Sequence, residues 1–112
     1  MHTQWCVDIS TIGDCTKSHR PAIQDWDVSG ITVMSEMFYF MTGFNQDLSK
    51  WDVSAVTDMY KMLSFAKRFN QNLSKWRVSA VTTMRAMFCD ASKFNGDVSK
   101  WDVSAVTTMG YM

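Results

Sequence analysis

Two columns of methionine are the residues whose type and spacing come nearest to chemistry. Met34, Met59, Met84 and Met109 form one column, and Met37, Met62, Met87 and Met112 the other, each at intervals of 25 residues. Thioethers in register are soft ligands of the kind that select Cu(I). The same methionines fall on a helix-like stripe and fill places that leucine takes elsewhere, so packing is the stronger reading. No metal or other cofactor is expected. His2, His19, Cys6 and Cys15 offer nitrogen and sulfur, but their spacing matches no zinc pattern. Hydroxyls also stand in ranks, at Thr32, Thr57, Thr82 and Thr107 and at Ser29, Ser54, Ser79 and Ser104. Such ranks order water on ice-binding proteins. Here the adjoining column of Val33, Asp58, Thr83 and Thr108 breaks the flat face, and turn hydroxyls bonded to backbone are expected. The sequence has no Gly-rich phosphate loop, no nucleophile with a convergent base and no paired carboxylates outside the repeat grid. The chain does not read as an enzyme.

Length and composition narrow the class further. The chain of 112 residues is one ordinary domain, with the 46% apolar and 20% charged content of a globular protein. Eleven acids balance eleven bases, so no electrostatic steering toward nucleic acid is expected. No apolar run reaches the length of a membrane span, and the start, MHTQWC, lacks the basic and apolar regions of a secretory signal. Cys6 with Cys15 would close a small loop in an oxidising compartment; reduced, partly buried thiols are the equal alternative. Asn72-Leu73-Ser74 is a glycosylation acceptor only if a eukaryotic cell secretes the chain. The compartment stays open, with a cell surface and an organellar assembly both compatible.

All of these residues hang on one repeat. Trp26, Trp51, Trp76 and Trp101 each open the same phrase: WDVSGITVM, WDVSAVTDM, WRVSAVTTM and WDVSAVTTM. A fixed period of 20 to 50 residues marks units that stack on their own copies. After each phrase the apolar residues recur at i, i+3, i+4 and i+7: Met34, Met37, Phe38, Met41; Met59, Met62, Leu63, Ala66; Met84, Met87, Phe88, Ala91. That spacing predicts a short helix. The stretches FNQDLSKW, FNQNLSKW and FNGDVSKW predict a polar turn and then a short strand carrying Trp and Val. The expected fold is therefore α/β, a right-handed leucine-rich-repeat-like solenoid of short strand plus short helix. Residues 1–25 read as an N-terminal cap, residues 26–50, 51–75 and 76–100 as full repeats, and 101–112 as a truncated fourth. Because terminal repeats need a polar outer face, the ending TMGYM predicts a longer natural polypeptide or a partner covering this end.

With WDVSAVTDM, the Met–Phe stripe and FNQDLSKW in hand, residues 23–112 resemble the BspA-like surface-protein repeats also found in mycoplasma lipoproteins. The resemblance implies a leucine-rich-repeat-like solenoid, adhesion or protein–protein interaction, and no catalytic residues. One departure stands out. Where the family's helix ends on a small or polar residue, this chain has Phe40 and Phe65, with Tyr39 beside them. On a helical wheel they lie about 110° from the buried stripe, where they form an aromatic docking patch or fold into the groove between repeats. Asn45, Asn70 and Asn95 read as a buried structural ladder, like the four tryptophans. Lys50, Lys75 and Lys100 make one charged column and Asp52, Arg77 and Asp102 another, in which Arg77 relieves like-charge repulsion. The expected function is a non-catalytic interaction or scaffolding module bound into a larger assembly through protein partners, with a surface adhesin fragment as the alternative.

Overall fold

Met34 and Phe38 of the apolar stripe at residues 34–41 are buried, and Met37 and Met41 half-buried, without the segment being helical. In the computed structural model, which describes residues 22–112, the only regular element is a 3-10 turn at Ile23–Asp25. The described residues contain no α-helix and no β-strand, so the expected α/β solenoid of strand plus helix is wrong. The destination of the backbone N–H groups explains why. A helix directs every one of them back along its own segment. Here alternate groups leave the segment: Met34, Glu36, Phe38 and Phe40 donate to the carbonyls of Asp58, Tyr60, Met62 and Ser64 at 2.8–2.9 Å. The groups between them close tight turns, Met37 to Met34, Tyr39 to Glu36 and Met41 to Phe38. The next unit repeats the scheme, with Met59, Lys61, Leu63 and Phe65 donating to Thr83, Arg85, Met87 and Cys89.

Such a backbone must alternate its hand. Glu36, Phe40, Lys61, Phe65, Ala86, Asp90 and Tyr111 all have φ between 53° and 63°. Most occupy the third position of a tight turn, where type II geometry requires positive φ. Only Asp90 is a residue type that tolerates the left-handed region well.

The expected strands give way to turns for a different reason. In the stretch around each Trp, an Asx side chain accepts from the backbone two residues on. Asp47 holds the Ser49 N–H, Asn72 that of Ser74 and Asp97 that of Ser99, at 2.8–2.9 Å. Asp27, Asp52 and Asp102 likewise hold Ser29, Ser54 and Ser104. These Asx turns outcompete extended pairing. Val56, Val81 and Val106 end further turns that bond Val53, Val78 and Val103. Among the described residues, parallel pairing survives only as single bridges, Val33 to Asp58, Asp58 to Thr83 and Thr83 to Thr108.

The result is a compact body of turn-built layers. Its radius of gyration is 13.3 Å, close to the ~13 Å of a folded domain this size. The core runs through the layers along Met34, Met59 and Met84 and along Phe44 and Phe69, each 6% exposed or less. Most of residues 1–25, including the expected cap and Cys6, Cys15, His2 and His19, lies outside the described residues.

Candidate functional site

The left-handed turns at Phe40 and Phe65 push two aromatic rings toward solvent. The rings stack with centroids 4.4 Å apart and planes 8° from parallel. Tyr39 meets both edge-on, at 5.0 Å from Phe40 and 6.1 Å from Phe65. Phe40 is 54% exposed, while Phe65 and Tyr39 are half-buried. The three residues form one contiguous surface cluster. Holding phenylalanine at positive φ costs about 1–2 kcal/mol. The stack returns about 0.5–1.5 kcal/mol, so this arrangement is not the most stable one available.

One cation borders the cluster. Lys61 Nζ lies 5.3 Å from the Tyr39 ring centroid and 5.2 Å from that of Tyr60. The hydrogen bond with Tyr60 raises the Lys61 pKa above the usual ammonium value. Arg85 lies 5.3 Å from the ring centroid of Tyr111, which is 72% exposed. Lys67 and Arg68 follow Phe65 after the buried Ala66 and are exposed. Of these only Tyr39, Phe40 and Phe65 stood out in the sequence. Lys61, Tyr60, Arg85 and Tyr111 would have been found by reading the columns 35/60/85/110 and 36/61/86/111 as surface.

The other columns hold the body together. Trp51, Trp76 and Trp101 are buried, and their indole N–H groups donate to the carbonyls of Ile23, Leu48 and Leu73 at 2.8–2.9 Å. Trp26 is half-buried and its ring stacks on Trp51 at 6.5 Å. Asn45 Oδ1 accepts from the Asn70 N–H at 2.9 Å, and Asn70 Oδ1 from the Asn95 N–H at 3.0 Å. This ladder runs along the exposed edge and not, as expected, through the interior. Thr57, Thr82 and Thr107 donate their hydroxyls to the carbonyls of Thr32, Thr57 and Thr82. The inner methionines Met34, Met59, Met62, Met84 and Met87 pack the core, whereas Met109 and Met112 are exposed. Among the described residues, no group of three or more His, Cys, Asp or Glu is arranged to hold a metal ion. No helix among them is long and apolar enough to cross a membrane.

The carboxylates serve turns, and this makes stability depend on pH. Asp27, Asp52 and Asp102 have pKa values lowered first by the Ser hydroxyls they accept from and then by the Ser backbone N–H groups. Arg77 lowers that of Asp52 further, and Asp27 opposes it. A folded-state pKa below the unfolded value stabilises above the unfolded pKa and is lost as pH falls through the folded one. Asn72 bonds Ser74 in the same geometry without a charge. The triple Asn variant at Asp27, Asp52 and Asp102 should therefore fold, yet lose less stability than wild type below about pH 4. Urea midpoints measured down that range test it, and parallel curves for the two proteins would contradict it.

A family model described as a Mycoplasma protein of unknown function, DUF285, matches residues 8–112. Comparison with curated proteins and with solved structures gives no match.

Proposed function

We propose that this chain, which belongs to the Mycoplasma family of unknown function DUF285, is a non-catalytic module that binds another protein through Tyr39, Phe40 and Phe65. The stacked Phe40–Phe65 pair, with Phe40 exposed, carries the reading. Clustered aromatic rings have the composition of an interface centre, and Lys61 lies at their edge. The hydroxyls and carboxylates of the repeat support the non-catalytic part, because Thr57, Thr82, Asp52 and Asp102 are occupied with their own backbone.

Asparagine tolerates the left-handed region, so Phe40→Asn with Phe65→Asn relieves strain while it removes the rings. The stability change is expected to stay within about 2 kcal/mol, because strain relieved at two residues is set against the lost stack and the lost burial of Phe65. Affinity capture from a lysate of the source organism, compared between wild type and this variant, checks the reading. Partners retained by wild type and lost by a folded variant are the expected outcome, and identical capture by both sinks it. Capture of envelope or host-surface components, dependent on the same rings, would turn the reading toward adhesion.

A further inference from the structure

Charge is divided across the surface of this neutral chain. The three turn segments 34–44, 59–69 and 84–94 contain five cations, Lys61, Lys67, Arg68, Arg85 and Lys93. Their acids are two, Glu36 and Asp90. The rest of the described residues reverse the balance, with seven acids against four bases. Of those seven, Asp27, Asp47, Asp52, Asp97 and Asp102 are held in Asx turns. The excess positive charge thus falls in 59–69 and 84–94, the layers that follow Phe40, while the segment of Phe40 itself contributes only Glu36. Lys61 lies over the tyrosines beside the phenylalanine pair. The aromatic surface is also bounded, because the next residue in the column of Phe40 and Phe65 is Asp90.

We infer that the Tyr39–Phe40–Phe65 surface docks an acidic polypeptide segment carrying one apolar anchor. The anchor lies against the exposed surface of Phe40, and flanking carboxylates meet Lys61, Lys67 and Arg68. Buried aromatic contact holds such a partner while the rim charges steer it and select against basic sequences. The inference rests on the docking reading above and adds to it the chemistry of the partner. A phosphate-rich partner would answer to the same cations, and the test separates the two.

The experiment follows the fluorescence anisotropy of short labelled probes titrated with the whole chain. The probes are a Glu-rich peptide with one central Trp, the same peptide with Ala in place of Trp, a Lys-rich peptide with the same Trp, and an oligothymidylate. The Glu-rich Trp peptide is expected to bind at least about tenfold more tightly than each of the others. Its affinity should weaken as salt screens the rim. Lys61→Glu with Lys67→Glu, and separately Phe40→Asn with Phe65→Asn, should each lower it about tenfold. Equal binding of the Lys-rich peptide, indifference to the Lys61→Glu and Lys67→Glu pair, or preference for the oligothymidylate overturns the inference. If no peptide binds while Phe40→Asn with Phe65→Asn still abolishes capture from lysate, the partner is not acidic and only the docking reading stands. If that variant leaves capture unchanged, both fail.

Discussion

Trp76→Phe lowers the free energy of unfolding by about 2 kcal/mol, and Trp76→Ala by about 3–5 kcal/mol. Trp76 is 4% exposed and its indole N–H donates to the Leu48 carbonyl at 2.9 Å. Its ring also stacks on Trp101, with centroids 6.3 Å apart. Phenylalanine keeps most of the packing and loses the donor. The Leu48 carbonyl accepts the Trp51 N–H as well, at 3.1 Å. Removing the indole thus empties one lone pair and not the whole carbonyl, which holds that part to about 1 kcal/mol. The smaller ring forfeits about another 1 kcal/mol of burial. The same double use recurs at Ile23, shared by Trp26 and Trp51, and at Leu73, shared by Trp76 and Trp101. One carbonyl closes a turn in its own layer and receives the indole of the next. Urea unfolding followed by circular dichroism measures both variants. A Trp76→Phe protein within about 0.5 kcal/mol of wild type would mean that the indole bond does not tie the layers.

That tie was legible in the sequence, because the 25-residue period dictates which groups can meet. Thr57 N–H finds Thr32, Asn70 N–H finds Asn45, and the indoles of Trp51, Trp76 and Trp101 each reach back 28 residues. The buried stripe was legible too. Met59, Met62, Leu63 and Ala66 are all fully buried. What the stripe could not reveal is the backbone beneath it. A run of overlapping tight turns presents Met59, Met62 and Leu63 to the core as well as a helix would, so burial period alone does not separate them. The usual marker of left-handed turns, Gly or Asn, is missing at Glu36, Phe40, Lys61, Phe65 and Ala86. Around each Trp the signal was present and outvoted. Asp-x-Ser and Asn-x-Ser are turn formers, yet the alternation of Trp and Val read as a strand.

The candidate site shows the same division. Phe40 and Phe65 stood out because they interrupt a small or polar position. The helical wheel then assigned their exposure to the flank of a helix. The exposure of Phe40 and the partial exposure of Phe65 go instead with φ of 61° at both residues. Lys61 shares that backbone conformation, with φ of 53°, and is brought over Tyr39 from the next layer. Reading columns finds Lys61 as surface, but not its partner, because Tyr39 stands 22 positions away in a different column.

Glu36 separates the observed backbone from a helix most sharply, because the two predict opposite results. A helix over 34–41 would place Glu36 in its first turn, where proline is tolerated and glycine costs about 1 kcal/mol. In the structure Glu36 is exposed, has φ of 58° and donates its N–H to the Tyr60 carbonyl at 2.8 Å. Proline cannot adopt positive φ and has no N–H to donate, so Glu36→Pro should cost about 3 kcal/mol or more. That is a large share of the roughly 5–15 kcal/mol that holds a domain together. Glycine does the reverse. It relieves about 1–2 kcal/mol of left-handed strain against about 0.5–1 kcal/mol of added chain entropy. Glu36→Gly should therefore be neutral to about 1 kcal/mol more stable. Thermal and urea unfolding of the pair decide between the two backbones. A tolerated proline with a destabilising glycine would restore the helix and remove the turn ladder, including the turns that expose Phe40 and Phe65.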